Sequence, residues 1–176
     1  YFGKVMNNRE KTVGARHAVP LRSGNQLDLS IIIVSYRAKR FLKGCLDSIY
    51  NTKNNLRFEI WFIDNSSKDD TVPWVKENFP QVNLIENEWN LGFSKASNKG
   101  IRESQGKYLL LLNPDTKISE GKINELLKFM DENPEAGICG PKMVDEKGDL
   151  LYSCRSFPDF LTSISSSQSV PISAIR

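Results

Sequence analysis

The stretch Leu29–Ile49, "LSIIIVSYRAKRFLKGCLDSI", decides the fold. Ile31, Ile32, Ile33 and Val34 form an unbroken β-branched run, which suits a strand buried on both faces because neither side turns polar. Directly after it, Leu42, Cys45, Leu46 and Ile49 recur at helical spacing and predict a helix. A doubly buried strand followed by an amphipathic helix is the unit of a parallel sheet, since parallel neighbours need a crossover between them.

The same unit recurs downstream. Phe58–Ile63 predicts a second strand, ended by the turn residues Asp64, Asn65, Ser66 and Ser67. Asp69 or Asp70 can cap the next helix, whose apolar side is Val72, Val75 and Phe79. Val82–Ile85 predicts a third, shorter strand, residues 87–92 a polar loop, and Phe93–Glu103 a helix. In "KYLLLLNPDT" (Lys107–Thr116), Tyr108–Leu112 is expected to be a fully buried fourth strand, and Ile123, Leu126, Leu127 and Met130 place a helix after it. Ala136–Gly140 and the Lys147-Gly148 turn suggest a further strand and a hairpin. The expected fold class is α/β, with a mostly parallel central sheet covered by helices on both faces. Residues 1–27 read as an irregular lead-in, 28–160 as the folded domain and 161–176 as a Ser-rich flexible tail, with no internal repeat.

Composition narrows the function. A chain of 176 residues, 39% hydrophobic and 26% charged, fits one domain with a sizeable core. Its net charge of +3 is small and its basic residues do not gather on one element, which argues against nucleic acid as a partner. No apolar run reaches the roughly 18 residues needed to cross a bilayer, and the first residues are too polar for a signal peptide. The chain opens at Tyr1 without an initiator Met, as a fragment or processed chain would. Cys45, Cys139 and Cys154 are odd in number and widely spaced, so they read as buried small hydrophobes in a reducing compartment. His17 is the only histidine, which argues against His-based acid/base catalysis and a His-rich metal site.

In an open α/β sheet, ligands bind beyond the carboxyl ends of the parallel strands. Those ends collect Ser35, Tyr36 and Arg37 after the first strand, Asp64, Asn65, Ser66 and Ser67 after the second, and Asn113, Pro114 and Asp115 after the fourth. Each group alone also reads as an ordinary surface turn. No Gly-x-Gly-x-x-Gly follows the first strand and no Gly-rich Lys-Ser/Thr phosphate loop occurs, so nicotinamide oxidoreductases and P-loop kinases are disfavoured. Asp64 can accept hydrogen bonds from a base or ribose, and Asn65 can both donate and accept. Asp115 is the candidate metal contact, since a hard cation bridging phosphates takes carboxylate oxygen. Asn90, Gly92 and Asn98 read either as a loop turn and a surface helix residue or as a segment closing over a nucleotide. Trp61, in a strand, reads as core.

In order and spacing, "LSIIIVSYRAKRFLKGCLDSI", "EIWFIDNSSKDDT", "LIENEWNLGFSKASNKGI", "GKYLLLLNPDT", "GICGPKMVDEKGDL" and "SCRSFP" resemble the family 2 glycosyltransferases of the GT-A, nucleotide-diphospho-sugar transferase fold. The likeness runs from Leu29 to Pro158 and looks closest to the bacterial rhamnosyltransferase-like branch that builds surface polysaccharide. It implies a donor-binding half over 28–160, a UDP- or dTDP-type sugar donor and a divalent cation, Mn or Mg. It also implies inverting transfer of a sugar, such as rhamnose, to a saccharide or lipid-linked acceptor. The resemblance places Ser35 and Tyr36 beside the nucleotide, Asp64 on the uracil or thymine side and Asn98 near the donor. Asp115 would be the last acid of the family's Asp-x-Asp-type motif and hold the metal, with Asn113 in place of the first acid. Arg37 stands where the family commonly has Asn; it pairs with phosphate or Asp64, obstructs the pocket, or keeps its head in water. The location implied is cytoplasmic, with peripheral contact at the inner face of a membrane.

An inverting transfer needs a base for the acceptor hydroxyl. None of Asp145, Glu146, Asp149 and Asp159 lies in a context matching the family's base, so the catalytic residue stays unassigned. The alternatives are a catalytically silent nucleotide-sugar-binding domain, a donor half lacking acceptor site and base, and a nucleotidyltransferase. The missing basic Gly-rich signature after the first strand argues against the last.

Overall fold

A computed structural model describes residues 27–51, 56–145 and 147–151. Apart from Leu27, the expected lead-in lies outside the described residues, as do the Ser-rich tail, His17, Glu146, Cys154 and Asp159. In chain order the elements are β1 (Leu27–Ser35), α1 (Lys39–Tyr50), β2 (Phe58–Asp64), α2 (Thr71–Asn78), β3 (Asn83–Glu86), α3 (Phe93–Glu103), β4 (Gly106–Leu112), α4 (Lys122–Glu132), β5 (Met143–Val144) and β6 (Leu150–Leu151). They fall into two compact units, Tyr1–Gly121 and Lys122–Arg176.

The first unit carries a four-stranded, all-parallel sheet in the order β3-β2-β1-β4. The chain steps outward from β1 to β2 to β3 and then returns past β1 to β4, so right-handed crossovers put α1 and α2 on one face and α3 on the other. Side-chain parity agrees: Ile32 and Ile63 point to the α3 face and pack with its Ala96. Leu42, Cys45, Leu46 and Ile49, the α1 residues picked out by spacing, are fully buried. Each large apolar side chain so buried contributes about 1.5–3 kcal/mol.

α3 approaches the sheet closely because its inner face is Ala96, Ser97 and Gly100. A Cβ at Gly100 would lie 2.9 Å from Ile63 Cδ1. At the amino end of the sheet, Ser30 Oγ donates to Glu59 Oε1 (2.6 Å) and accepts from Gly106 N–H (2.8 Å), while Gln105 N–H donates to the same Glu59 oxygen (2.7 Å). This junction starts β4 at Gly106, two residues before the apolar run suggests.

The four-leucine strand departs from its expected full burial. Leu109 and Leu111 are 49% and 48% exposed, whereas Leu112 is buried. β4 is an edge strand, and its register sets Leu111 beside Ile32, one strand beyond the part of the sheet that α3 covers.

In the second unit, Ile123 and Leu127 are the buried residues of α4. β5 and β6 form an antiparallel hairpin in which Asp145 Oδ1 accepts the N–H groups of Lys147 and Asp149, both at 2.9 Å. The strand expected over Ala136–Gly140 is a loop instead, because two glycines loosen it, Ala136 N–H turns back to Asn133 O, and Ile138 is exposed. The strand forms later, at β5. Among the described residues no helix is long and apolar enough to cross a membrane.

Candidate functional site

β1, β2 and β3 end level with one another, and β4 stops two residues short of them. Ser35 is in register with Asp64, and Asp64 with Glu86, while Ile33 is in register with Leu112. The turns that follow therefore share one edge. Between β1 and β4 the chain switches faces, leaving β1 through α1 and reaching β4 through α3, and such a switch point opens a crevice.

The ends of β1 and β2 are stitched together. Asn65 N–H donates to Ser35 O (2.8 Å), and Arg37 N–H donates to Ser67 Oγ (3.0 Å). The Ser67 hydroxyl in turn donates to Asp64 Oδ1, and its N–H donates to Asp64 Oδ2 at 3.0 Å. The Asp64 carboxylate, 5% exposed, is thus held by two donors, and Arg37 is not its partner. The Arg37 guanidinium lies over the exposed Tyr36 ring, 5.1 Å from its centroid. Arg37 (φ 53°), Ser66 (φ 69°) and Lys68 (φ 54°) are all left-handed without being glycine, a strain that tends to collect at functional sites. Ser35 is fully buried at the same edge, and its hydroxyl finds no hydrogen-bond partner among the described residues.

A network of amides then fixes the loop after β3. Asn65 Nδ2 donates to Asn90 Oδ1 (2.8 Å), while Asn65 Oδ1 accepts from Asn87 Nδ2 and Leu91 N–H (both 3.0 Å). Lys99 Nζ donates to Asn87 Oδ1 (2.6 Å), Gly92 N–H to Asn90 Oδ1 (2.9 Å), and Ser66 Oγ to Glu88 O (3.1 Å). Gly92 then starts α3 at φ 74°, a conformation that side chains rarely adopt. With its side chain buried and engaged at both ends, Asn65 acts here by holding the loop.

The segment after β4 is moored to α1. Cys45 Sγ–H donates to Asn113 O (3.8 Å), Ile118 N–H donates to Ser48 Oγ (3.0 Å), and Thr116 N–H closes the turn onto Asn113 O (3.1 Å). Asn113 and Asp115 are exposed on this fixed segment. Burial, and then the nearby Asp115 charge, push the Cys45 thiol from 9.0 up to about 12. A group with a raised folded pKa stabilises the fold fully below its unfolded pKa and loses that contribution as pH rises through the folded one. Stability should therefore fall between about pH 9 and pH 12, and Cys45→Ala should flatten that limb in urea titrations.

The expected site residues are thus partly assembled. Ser35, Tyr36, Arg37, Asp64 and Asn65 meet at two stitched turns, Asn90 and Gly92 join them through Asn65, and Asn113 and Asp115 stand at the end of β4. Asn98 is exposed on α3, outside the amide network. Sequence reading placed Ser67 at this edge without its bonds and passed over Asn87, Lys99 and Trp89. For Trp89 the signal was a large aromatic inside an otherwise polar loop, and it is 62% exposed. Among the described residues no cluster of three or more His, Cys, Asp or Glu could hold a metal. A lone exposed Asp115 does fit a hard cation whose other ligands are phosphate oxygens and water.

Comparison with known proteins adds to this geometry. The family model described as Glycosyl transferase family 2 matches residues 30–169. An uncharacterized glycosyltransferase of Haemophilus influenzae is 34% identical over 106 residues, which are 60% of this chain and 35% of that protein. The N-acetylglucosaminyl-diphospho-decaprenol L-rhamnosyltransferase of Mycobacterium tuberculosis is 26% identical over 144 residues, 76% of this chain and 47% of that protein. The chain thus spans about a third to a half of these relatives. Crystalline S. aureus TarS 1-349 in complex with UDP-GlcNAc has a similar fold, with a TM-score of 0.56 at 23% identity over 61% of this chain and 32% of that one.

Proposed function

The chain belongs to glycosyl transferase family 2, and from that membership we propose that residues 28–160 are the donor-binding half of a nucleotide-sugar-dependent glycosyltransferase. The transfer proposed is inverting, from a UDP- or dTDP-sugar, rhamnose being one candidate, to a saccharide or lipid-linked acceptor in the cytoplasm, at the membrane face when the acceptor is lipid-linked. The observation that carries this reading is the shared edge where the buried Ser35 hydroxyl, without a hydrogen-bond partner among the described residues, and the Asp64 carboxylate sit one and two strands from the strand that leads to Asp115.

In this reading Ser35, Tyr36 and Asp64 face the nucleotide, and Asn65 orders the loop that carries Asn90 and Gly92. Asn98 lies further along α3 on the donor side. Asn113 and Asp115 face the diphosphate, and Asp115 would hold a Mn or Mg ion there. Such an ion supplies positive charge where the leaving diphosphate gains negative charge. Arg37, exposed and resting on Tyr36, is in reach of a phosphate once it leaves the ring.

Calorimetric titration with UDP, dTDP and GDP, with and without Mn or Mg, tests the reading. Metal-dependent binding of a pyrimidine diphosphate is expected, and no binding at millimolar nucleotide would overturn it. A second reading, donor binding without turnover, is favoured by the hairpin: Asp145 closes its turn, as a structural carboxylate would. Sugar release or transfer by this chain would decide between the two.

A further inference from the structure

We infer that Lys99 is a positioning residue for donor binding, which orders the loop after β3 from the side of α3 before a nucleotide arrives; this rests on the donor reading, in which that loop carries Asn90 and Gly92. Lys99 is half-buried in the second turn of α3. Its ammonium reaches back across the loop and donates to Asn87 Oδ1 at 2.6 Å, joining residues 12 apart in sequence. Asn87 is the first residue after β3 and α3 follows the loop, so this bond closes residues 87–99 into a ring. Asn87 is itself buried, and its N–H donates to Asp64 O at 2.9 Å.

The sense of the hydrogen bonds is a second support. An ammonium only donates, so Asn87 presents its oxygen to Lys99 and its amide nitrogen to Asn65 Oδ1 (3.0 Å). At the far end the backbone N–H groups of Leu91 and Gly92, also donors only, meet Asn65 Oδ1 (3.0 Å) and Asn90 Oδ1 (2.9 Å). With donors fixed at both ends, the amides of Asn87, Asn65 and Asn90 have one consistent orientation. Lys99 is the charged member of that chain of bonds.

Strength decides which link matters most. A hydrogen bond from a cation is about twice as strong as one between neutral groups. Without it the oxygen of the buried Asn87 side chain loses this donor, and an unsatisfied buried acceptor is costly. The loop would then meet a nucleotide only partly ordered, and ordering it on binding draws on affinity.

The test uses Lys99→Met, which keeps the apolar stem and removes the donor. Without ligand, amide hydrogen exchange at Leu91 and Gly92 should quicken about tenfold, while the amides of β1 keep their rates. In calorimetry with UDP and Mn, the Kd of Lys99→Met should rise about tenfold, with a less favourable binding entropy. Combined with Asn87→Ala, Lys99→Met should add no further loss of UDP affinity, because both substitutions remove the same link. The inference is overturned if exchange at Leu91 and Gly92 is unchanged. It is equally overturned if Lys99→Met shifts only the urea midpoint, or if the double variant shows both single losses combined, as a lysine contacting the nucleotide directly would give. Wild-type binding with an unaffected Lys99→Met removes this inference alone; a wild-type chain that binds no nucleotide removes the donor reading with it.

Discussion

Gly106→Ala should destabilise the folded chain by about 3 kcal/mol, seen as a lower urea midpoint at unchanged slope. The new Cβ would lie 2.4 Å from Ser30 N and 2.5 Å from Leu29 C. These are backbone atoms of the central strand, which cannot rotate aside as a side chain does. Relief requires β1 and β4 to part, and that breaks the junction of Ser30, Glu59, Gln105 and Gly106. Gly100→Ala is the control. Its Cβ meets Ile63 Cδ1 at 2.9 Å and Ile32 Cγ2 at 3.2 Å, both on side chains that can shift, and alanine favours the helix by about 1 kcal/mol. Equal losses for the two variants would show that the close approach at Gly106 is not what limits the fold.

Asp115→Asn should remove most of the metal dependence of nucleotide binding and lower any transfer activity about a hundredfold to a thousandfold. The substitution keeps the size and shape of the side chain. The turn should survive it, because Asn113 O accepts from Thr116 N–H and Cys45 Sγ–H through backbone oxygen alone. What changes is the charge on the only acid of the Asn113-Pro114-Asp115 turn. The reciprocal variant, Asn113→Asp, restores an acid two residues earlier and should tighten Mn binding. Unchanged Mn dependence in Asp115→Asn would dismiss the assigned role.

Much of the architecture was legible because it follows local periodicity. Leu42, Cys45, Leu46 and Ile49 marked the inner face of α1, and Phe93–Glu103 coincides with α3. Leu109 and Leu111 misled because four leucines carry no alternation, and their exposure depends on which strand α3 covers, a property of the whole sheet. The carboxyl-end residues were legible once the strand order was known. The bonding of Asn65 was not, since its partners lie 22 to 26 residues away and nothing local announces them. For Ser67 the place was legible and the bonding was not: a serine in a turn needs no partner, and this one ties Arg37 to Asp64.

The contact at Gly106 also calibrates the other end of β4. Register runs unbroken from Leu27 opposite Gly106 to Ile33 opposite Leu112. A slip of one residue would shift Asp115 by about 3.3 Å and turn every β4 side chain to the opposite face. A residue at the foot of the strand, remote from any ligand, thereby works as the datum from which the height of the acid is measured.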